Sequence, residues 1–352
     1  MILGSTLFGG TAMASNPSAT VIEVPAQTIQ ITQEWDKVFP KSNLVEHRKV
    51  TFKNRYGITL VGDLYIPKNA KGKLTAIAVA GPFGAVKEQV SGLYAQRMAE
   101  RGFVTVAFDP SYTGESSGLP RNLASPEINT EDFSAAVDFL GSLDNVDREK
   151  IGILGVCGWG GFALNAAIAD TRIKAVATST MYDMTRVMAK GYNDSMDENA
   201  RHEMKKSLNN LRWETAKNQH SVLGEPVLPA ANAVNAETPK FLADYVNFYK
   251  TKRGFHPRSV GSNLAWTSTT PLALINMPIL QYAAELRTPA LVVHGENAHS
   301  RYFSEDAFKA LGHQSNKELY IVKGANHVDL YDDAAGKIPY EKFEQFFKTY
   351  LK

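Results

Sequence analysis

The chain has 352 residues, of which 44% are hydrophobic and 21% charged, which is the composition of a globular protein with a substantial core. Its formal net charge of +2 gives no electrostatic reason to expect nucleic acid or an anionic membrane as a partner. A single cysteine excludes an intrachain disulfide. The length fits either two domains or one large α/β domain that carries an insertion.

The N-terminal 30 residues suggest the remnant of an export signal. Residues 2–11 are mildly apolar, and Ala12-Met13-Ala14 matches the small-residue pattern that precedes a signal-peptidase cut. Glycines interrupt the apolar stretch and a basic start is absent, so a disordered tail is the alternative. We therefore expect a leader over 1–30 and a periplasmic or secreted protein, or otherwise a cytoplasmic one. No later segment has the roughly 18 apolar residues that a membrane span needs.

Strand and helix patterns alternate through most of the chain, which predicts a mostly parallel, doubly wound sheet with an antiparallel hairpin at its start. The pattern predicts strands at 49–53, 59–66, 74–80, 103–108, 151–154, 173–178, 290–294 and 318–322. It predicts helices over about 87–101, 130–143 and 338–351, and a further helix directly after the 151–154 strand.

Residues 184–285 break this alternation. They are rich in methionine and aromatic residues without a strand pattern, which predicts a mostly helical insertion between two strands. The insertion begins just past a strand's C-terminal end, where α/β folds bind ligands, so we expect a lid that lines a substrate pocket. Met184 and Met188 are nearest that strand end and are the predicted lid contacts. Most other apolar residues are expected to pack in the insertion's own core.

The only cysteine lies in Gly155-Val156-Cys157-Gly158, between a predicted buried strand and a predicted helix. A tight turn of this kind holds a nucleophile above a parallel sheet, and a helix N-terminus with a nearby imidazole favours the reactive thiolate. A small buried hydrophobe is the alternative role. Such elbows usually have glycine two residues beyond the nucleophile, where this chain has Trp159. We expect Trp159 to contact substrate.

A general base is predicted at His327, which follows the last strand, so that the order is thiol first and histidine last. The acid is left open. Glu296 lies two residues after the 290–294 strand, and Ala298 stands where an aspartate would be usual. Asp183 is the alternative acid, and a Cys–His dyad is the third possibility.

Two further histidines are close to these positions in the sequence. His294 lies within an apolar strand and is expected to be a hydrogen-bonded core residue. His299 follows in a loop and is expected at the surface.

Together these motifs resemble the α/β-hydrolase superfamily, and within it the dienelactone-hydrolase-like branch that uses cysteine in the elbow. The resemblance covers about 45–183 and 286–352. It rests on the Gly-x-Cys elbow, the glycine-proline loop after the third strand, the 109–118 segment and the Gly-x-x-His ending at His327. It implies an α/β-hydrolase core over 31–183 and 286–352, with 184–285 as the helical lid.

The resemblance also implies an oxyanion hole, a pair of backbone N–H groups that stabilise the charged oxygen of a tetrahedral intermediate. Gly158, the residue after the nucleophile, is expected to supply one N–H group. Phe83 in the loop after the third strand is expected to supply the other, with Gly84 allowing a close approach.

The favoured function is hydrolysis of a carboxylic ester, lactone or thioester through a Cys157 acyl-enzyme, with His327 as general base. An acyltransferase is the first alternative, and a binding protein with a degraded triad is the second, because of Ala298 and Trp159. The absence of zinc-ligand spacing, a P-loop and a dinucleotide fingerprint predicts no metal and no organic cofactor. The expected partner is a small-molecule substrate and not nucleic acid; a homo-oligomer is left open.

Overall fold

A computed structural model describes residues 28–68, 70–218, 220–312 and 314–352. The predicted leader lies outside these residues except for positions 28–30, which form neither helix nor strand. No helix in the described ranges is long and apolar enough to cross a membrane.

An eight-stranded sheet forms the centre of the described chain. Its strands are β1 (Val45–Lys53), β2 (Thr59–Pro67), β3 (Leu74–Ala80), β4 (Val104–Phe108), β5 (Val146–Val156), β6 (Ala175–Ser179), β7 (Ala290–Gly295) and β8 (Lys317–Val322). The spatial order is β1-β2-β4-β3-β5-β6-β7-β8. Only the β1–β2 and β2–β4 pairs are antiparallel, whereas the other pairs are parallel. This confirms the predicted doubly wound sheet with an antiparallel start.

Helices cover both faces of the sheet, as buried parallel strands require. In the described residues the α-helices are α1 (Val90–Ala99), α2 (Pro126–Gly141), α3 (Gly158–Ala169), α4 (Met184–Lys190), α5 (Glu198–Asn218), α6 (Lys240–Tyr249), α7 (Val260–Asn263), α8 (Thr270–Leu274), α9 (Arg301–Ala310) and α10 (Tyr340–Tyr350). Two apolar cores result, one on each side of the sheet. Every residue of β4, β6 and β7 is buried, which explains their nearly continuous apolar sequences.

The segment between β6 and β7 carries helices α4 to α8. Its described residues add no strand to the sheet. Helix α6 buries Val246, Phe248 and Tyr249 against one core, whereas the 21 residues of α5 include none that is fully buried. The segment is therefore attached to the sheet unevenly, with α6 as its best-packed helix.

Candidate active site

Cys157 lies at the sharp turn between β5 and α3. Its φ of 55° and ψ of −127° are strained for a residue with a side chain. The Cys157 N–H donates to the Ser179 carbonyl, and the Cys157 carbonyl accepts from the N–H groups of Gly160 and Tyr182, each at 2.9 Å. These bonds to β6 and α3 hold the strained turn in the form of a nucleophile elbow.

The turn uses glycines at two positions of close contact. A Cβ at Gly155 would lie 2.2 Å from the Trp159 carbonyl oxygen, and a Cβ at Gly160 would lie 2.4 Å from the Met181 Cβ. Trp159 itself is only 2% exposed, because the first turn of α3 directs its side chain into the apolar core. Its ring packs edge-to-face against Phe108, Phe133 and Phe162. Trp159 is therefore a core residue, and the prediction that it contacts substrate is corrected.

The Cys157 thiol is buried and has three hydrogen-bond partners. The backbone N–H groups of Phe83 and Gly158 and the hydroxyl of Tyr331 all bond to Sγ. Burial raises the pKa of the thiol, and these three hydrogen bonds act in the opposite direction. The two N–H groups are the pair expected to form the oxyanion hole, and here they converge on the predicted nucleophile.

The loop that carries Phe83 is supported by the segment around α7. Gly84 has a φ of +88°, and a Cβ there would lie 2.9 Å from the carbonyl carbon of Gly261. The Ser259 hydroxyl donates to the Gly84 carbonyl at 2.8 Å. The Phe83 ring also packs on Trp266, with ring centroids 4.4 Å apart. The position of one oxyanion donor therefore depends on residues of the 184–285 segment.

His327 reaches the thiol through a tyrosine. Its Nε2 lies 3.1 Å from the hydroxyl of Tyr331, which in turn bonds to the Cys157 Sγ. Burial lowers the pKa of His327 well below its ordinary value, so the imidazole is neutral at rest. Sequence reasoning missed Tyr331, although its position four residues after His327, across the turn Val328–Leu330, is a spacing that can bring two side chains together.

The other nitrogen of His327 faces two hydroxyl groups. Nδ1 lies 2.6 Å from the Ser300 Oγ and 2.9 Å from the Thr180 Oγ1. Thr180 follows β6 with a φ of 46°, a strained conformation for a β-branched residue. Ser300 also lies 2.9 Å from Nε2 of His294. Serine and threonine thus occupy the place where a triad would put its acid.

Neither predicted acid has a hydrogen bond to His327. The Glu296 side chain is exposed and accepts the N–H of Gly324 at 2.8 Å. Asp183 caps α4, where its carboxylate accepts the N–H of Arg186 at 2.9 Å. The structure therefore commits both carboxylates elsewhere: one points to solvent and the other satisfies a helix end.

Aromatic side chains, among them Tyr245 and Tyr249 of α6, cover the site and are called the aromatic roof below. Tyr245 of α6 lies 5.3 Å from His327 between ring centroids, and Tyr249 lies 6.0 Å from Tyr331. His299 is half-buried, with Nε2 2.6 Å from the Tyr182 hydroxyl, so its expected place at the surface is corrected. Cys157 and His327 are accordingly only 7% and 2% exposed.

The two predicted lid methionines lie at different places. Met184 is buried, and a Cβ at Gly158 would lie 2.7 Å from its Cγ, so it adjoins the elbow and the oxyanion donors. Met188 is only partly buried and packs against the apolar core.

A pocket of about 350 Å³ reaches His327 from the N-terminal end of α6. Phe241 and His299 form one wall, with their rings stacked 4.3 Å apart. Asp244 and Asn326 add polar groups, but Cys157 is not among the lining residues. No group of three or more metal-ligating side chains occurs in the residues that the structure describes.

A buried ion-pair cluster lies just beyond the oxyanion loop. Lys87 is fully buried, and its Nζ lies 2.7 Å from carboxylate oxygens of Glu88 and Asp109 and 2.6 Å from Glu115. Burial disfavours the charged lysine, but the carboxylates of Asp109, Glu88, Asp63 and Glu115 outweigh it and hold the pKa of Lys87 well above its ordinary value. The remaining members are Asp36, Lys37, His47, Lys49, Asp63 and Arg258.

Sequence reasoning missed this cluster as well. Its only local signal is the adjacent pair Lys87-Glu88 a few residues after a glycine-proline loop. Arg258 comes from the 184–285 segment and pairs with Glu88 at 2.8 Å. Gln89 donates from Nε2 to the Gly254 carbonyl at 2.5 Å. The cluster therefore fastens the oxyanion loop to the same segment that roofs the thiol.

A family model matches the N-terminal part of the chain, and two relatives match most of the chain. A family model described as PETase, PET hydrolase-like, matches residues 42–193. PA2218 of Pseudomonas aeruginosa, an uncharacterized protein, is 56% identical over 99% of this chain and 94% of its own length. Its crystal structure has a TM-score of 0.88, covering 92% of this chain and 99% of that chain. YcjY of Escherichia coli K12, also uncharacterized, is 35% identical over 82% of this chain and 94% of its own length.

More distant matches carry functional names. The thiohydrolase aneE of Aspergillus aculeatus is 37% identical over 37% of this chain and 40% of its own length. The α/β-hydrolase GrgF from Penicillium sp. sh18 shares the fold, with a TM-score of 0.68 at 21% identity, covering 87% of this chain and 99% of that chain. The chain therefore belongs to the family that includes PA2218 and YcjY, and its strand order and elbow are those of the α/β-hydrolase fold.

Proposed function

We propose that this hydrolase cleaves an acyl substrate through a covalent acyl-enzyme on Cys157, with thioesters as the preferred class among esters, lactones and thioesters. The observation that carries the proposal is the convergence of the Phe83 and Gly158 N–H groups on the thiol. This arrangement supplies the donors that a tetrahedral oxyanion needs beside the attacking sulfur. The name of aneE as a thiohydrolase supports the same class of reaction.

The thiol itself favours thioesters over simple alkyl esters. After attack, the tetrahedral intermediate expels whichever group is the weaker base. A cysteine thiolate, with an ordinary pKa of about 8.5, leaves more readily than an alkoxide, so an intermediate formed from an alkyl ester mostly returns to substrate. With a thioester the two sulfur groups are balanced, and with an enol lactone or aryl ester the leaving group is also a weak base.

The proton has a defined route in this mechanism. The Cys157 proton passes to the Tyr331 oxygen while the Tyr331 proton passes to Nε2 of His327. Sulfur then bonds to the acyl carbon, and the carbonyl oxygen becomes the oxyanion. Collapse breaks the bond to the leaving group, which takes the proton back from His327. Water deprotonated by the same route attacks the acyl-enzyme, releasing the acid and restoring the thiol.

The 184–285 segment acts in this proposal as a lid over the thiol. Tyr245 and Tyr249 of α6 cover the site, and Met184 borders the oxyanion donors. Shortening Met184 should therefore admit a longer or bulkier acyl chain. Met184→Ala should shift the acyl-length preference in kcat/KM, whereas Met188→Ala should leave it flat. Equal profiles for both folded variants would remove Met184 from the acyl pocket.

The decisive experiment detects the covalent intermediate. The protein is mixed with a panel of N-acetylcysteamine thioesters, p-nitrophenyl esters and lactones, and its intact mass is followed with time. We expect the mass of one acyl group to appear, to map to Cys157, and to be lost on hydrolysis, with thioesters turning over fastest. Cys157→Ala is the matched control. Turnover without an adduct on Cys157 in rapid-quench samples, and undiminished in Cys157→Ala, would contradict the proposal.

Acyl transfer is the second candidate, favoured by the near-complete burial of Cys157 and His327 under an aromatic roof. A site that excludes water can pass its acyl group to another alcohol, thiol or amine. Product analysis with and without such added nucleophiles separates the two reactions. A protein that takes up no acyl group from any member of the panel would instead be the non-catalytic binding protein.

A further inference from the structure

A line of buried hydrogen-bonding groups continues behind His327. The Ser300 Oγ lies 2.6 Å from Nδ1 of His327 and 2.9 Å from Nε2 of His294. Nδ1 of His294 lies 2.6 Å from the Ser304 Oγ. Ser300, Ser304 and His294 are 0% exposed, so solvent cannot replace any of these bonds. Ser300, His294 and Ser304 all lie in or near β7 and α9.

The hydrogen atoms on this line can be counted. Tyr331 must donate to Nε2 of His327 for the base to accept a proton, so the hydrogen of that imidazole must be on Nδ1. Nδ1–H then donates to Ser300, whose own hydroxyl hydrogen is free to donate to Nε2 of His294. His294 consequently has its hydrogen on Nδ1 and donates to Ser304. Every group donates in the same direction, away from the thiol.

We propose that Ser300 and His294 are positioning residues that replace the carboxylate of a catalytic triad: as a neutral pair, they fix His327 in the tautomer that can accept the proton of Cys157. This inference rests on the proposed function, because it assigns His327 the role of base. His294 does not touch His327 with a hydrogen bond and acts only through Ser300. Its role is to accept the Ser300 hydrogen, since a serine without an acceptor would turn and donate to Nδ1 of His327.

The charges around His294 are consistent with a neutral pair. Burial, with His299 and Arg301 acting in the same direction, lowers the pKa of His294 to about 3. Within the described chain neither nitrogen of His294 or His327 has a carboxylate as hydrogen-bond partner. Thr180 also contacts Nδ1 of His327, but it lies 3.4 Å from His294 and serves as a secondary acceptor.

The proposal makes an unusual prediction about a residue one step removed. His294→Phe removes the acceptor of the Ser300 hydrogen, so Ser300 should donate to Nδ1 and His327 should switch to the tautomer with its hydrogen on Nε2. His294→Gln keeps an acceptor oxygen and should retain the original tautomer. Ser300→Ala should leave a mixture of the two His327 tautomers. We expect kcat to fall about 10- to 100-fold in His294→Phe, with KM little changed and recovery to within about fivefold in His294→Gln.

The test is long-range ¹H–¹⁵N spectroscopy of the ¹⁵N-histidine-labelled protein at neutral pH. The chain has eight histidines, so the signal of His327 is assigned by its loss in His327→Gln. Alkylation of Cys157 by iodoacetamide provides a second readout that needs no substrate, and it should slow about tenfold in His294→Phe. Thr105→Val is the matched control, because it removes a buried hydroxyl bond at 2.7 Å to the Ala95 carbonyl, away from the site.

The outcomes separate the two proposals. If acyl-enzyme forms but His294→Phe keeps both the Nδ1–H tautomer and the wild-type rate, the positioning role is wrong. If the tautomer switches while no acyl group ever appears on Cys157, the positioning role stands and the proposed function fails. Should His294→Phe not fold, Ser300→Ala gives the same reading, because an unchanged tautomer and rate in that variant would overturn the inference.

Discussion

Two buried polar clusters of opposite electrical character lie at the two ends of one loop. At Phe83 the loop contacts the Cys157 thiol, which belongs to a cluster of neutral groups that includes the Tyr331 phenol and the His327 imidazole. Four residues later, at Lys87, it enters a cluster of ion pairs that includes Glu88, Asp109 and Glu115. The central residues of both clusters, Lys87 and His327, are buried, so burial alone does not decide which kind of group is used.

The difference follows from what each cluster has to do. Buried ions hold one another in fixed geometry, because separating any pair leaves an uncompensated charge in a medium that solvates it poorly. Neutral donors and acceptors can pass a proton along without creating such a charge permanently. The loop thus has one end that is fixed by charge and another end at which protons can move.

The largest expected effect is on turnover, from a change in the neutral cluster around the thiol. Cys157→Ala removes the group that forms the covalent bond, so turnover should fall at least about a thousandfold. The midpoint of thermal unfolding should change little, because alanine fits the same turn. Steady-state rates and circular dichroism measure both quantities. Residual activity above about a hundredth of wild type would count against covalent catalysis by this residue.

A change in the ion-pair cluster around Lys87 is expected to lower the stability of the fold. Lys87→Met leaves three buried carboxylates without their common cation, so the free energy of unfolding should fall by about 3–5 kcal/mol. Lys348→Met is the control. Lys348 forms an ion pair with Glu344 at the surface, and loss of this pair should change the free energy of unfolding by less than about 1 kcal/mol. Denaturant titrations compare the two. Similar small losses of unfolding free energy in both variants would mean that the charge of Lys87 contributes little to the stability of the fold.

Tyr331→Phe tests whether the proton route runs through the phenol. Removing the hydroxyl disconnects His327 from the thiol, so kcat should fall about 10- to 100-fold with KM nearly constant. Tyr245→Phe is the control, because this tyrosine of the roof loses a hydroxyl that donates to the Tyr182 hydroxyl at 3.4 Å, and kcat should fall much less. Rates over a range of substrate concentrations give kcat and KM separately. Equal losses in both variants would indicate packing as the cause and not proton transfer.

The pH dependence of stability sharpens the ionic side further. Burial opposes ionisation of Glu115, but Lys87 and Lys49 lower its pKa from 4.5 to about 2. A carboxylate whose folded pKa is lowered stabilises the fold above its unfolded pKa and loses that contribution as pH falls. Wild type should therefore lose stability between pH 4.5 and 2, and Glu115→Gln should show a flatter curve there. Parallel curves in thermal unfolding would contradict this.

The smallest effect is expected at the two carboxylates that the sequence suggested as the acid. Glu296→Gln and Asp183→Asn should each change kcat by less than about threefold, because neither contacts His327 and asparagine can still cap α4. The rates are measured beside those of Ser300→Ala, which should be far slower. A loss of orders of magnitude in Glu296→Gln would restore the triad and break the neutral description of the site.

The elements that the sequence predicts well are those with a local pattern. All eight strands occur where alternating or continuous apolar runs indicate them, and the Cys157 turn follows from glycines within six residues. His327 is predicted because its position after the last strand is fixed by the fold. The side chain of Trp159 is different: its neighbours Phe108 and Phe133 lie far away in the sequence, so no local pattern reveals that it is buried.

The polar partners were harder to predict because they come from distant segments. Lys87 pairs with residues 22 and 28 positions away, and Thr180 meets His327 across 147 positions. The acid was missed for a related reason. A catalytic triad predicts a carboxylate beside the histidine, whereas the structure satisfies Nδ1 of His327 with serine and threonine, residue types too common to stand out.

The contact between Gly84 and Gly261 has a consequence for the timing of the reaction. Because a Cβ at Gly84 would lie only 2.9 Å from Gly261, and Ser259 bonds the Gly84 carbonyl, the loop and α7 are held together as one unit. Any opening of the 184–285 segment that also displaces α7 would draw the Phe83 N–H away from the thiol. An enzyme open enough to admit substrate would then be an incomplete catalyst, and competence would return only when the substrate is enclosed. The thiol would be exposed to bulk solvent only while the oxyanion hole is incomplete.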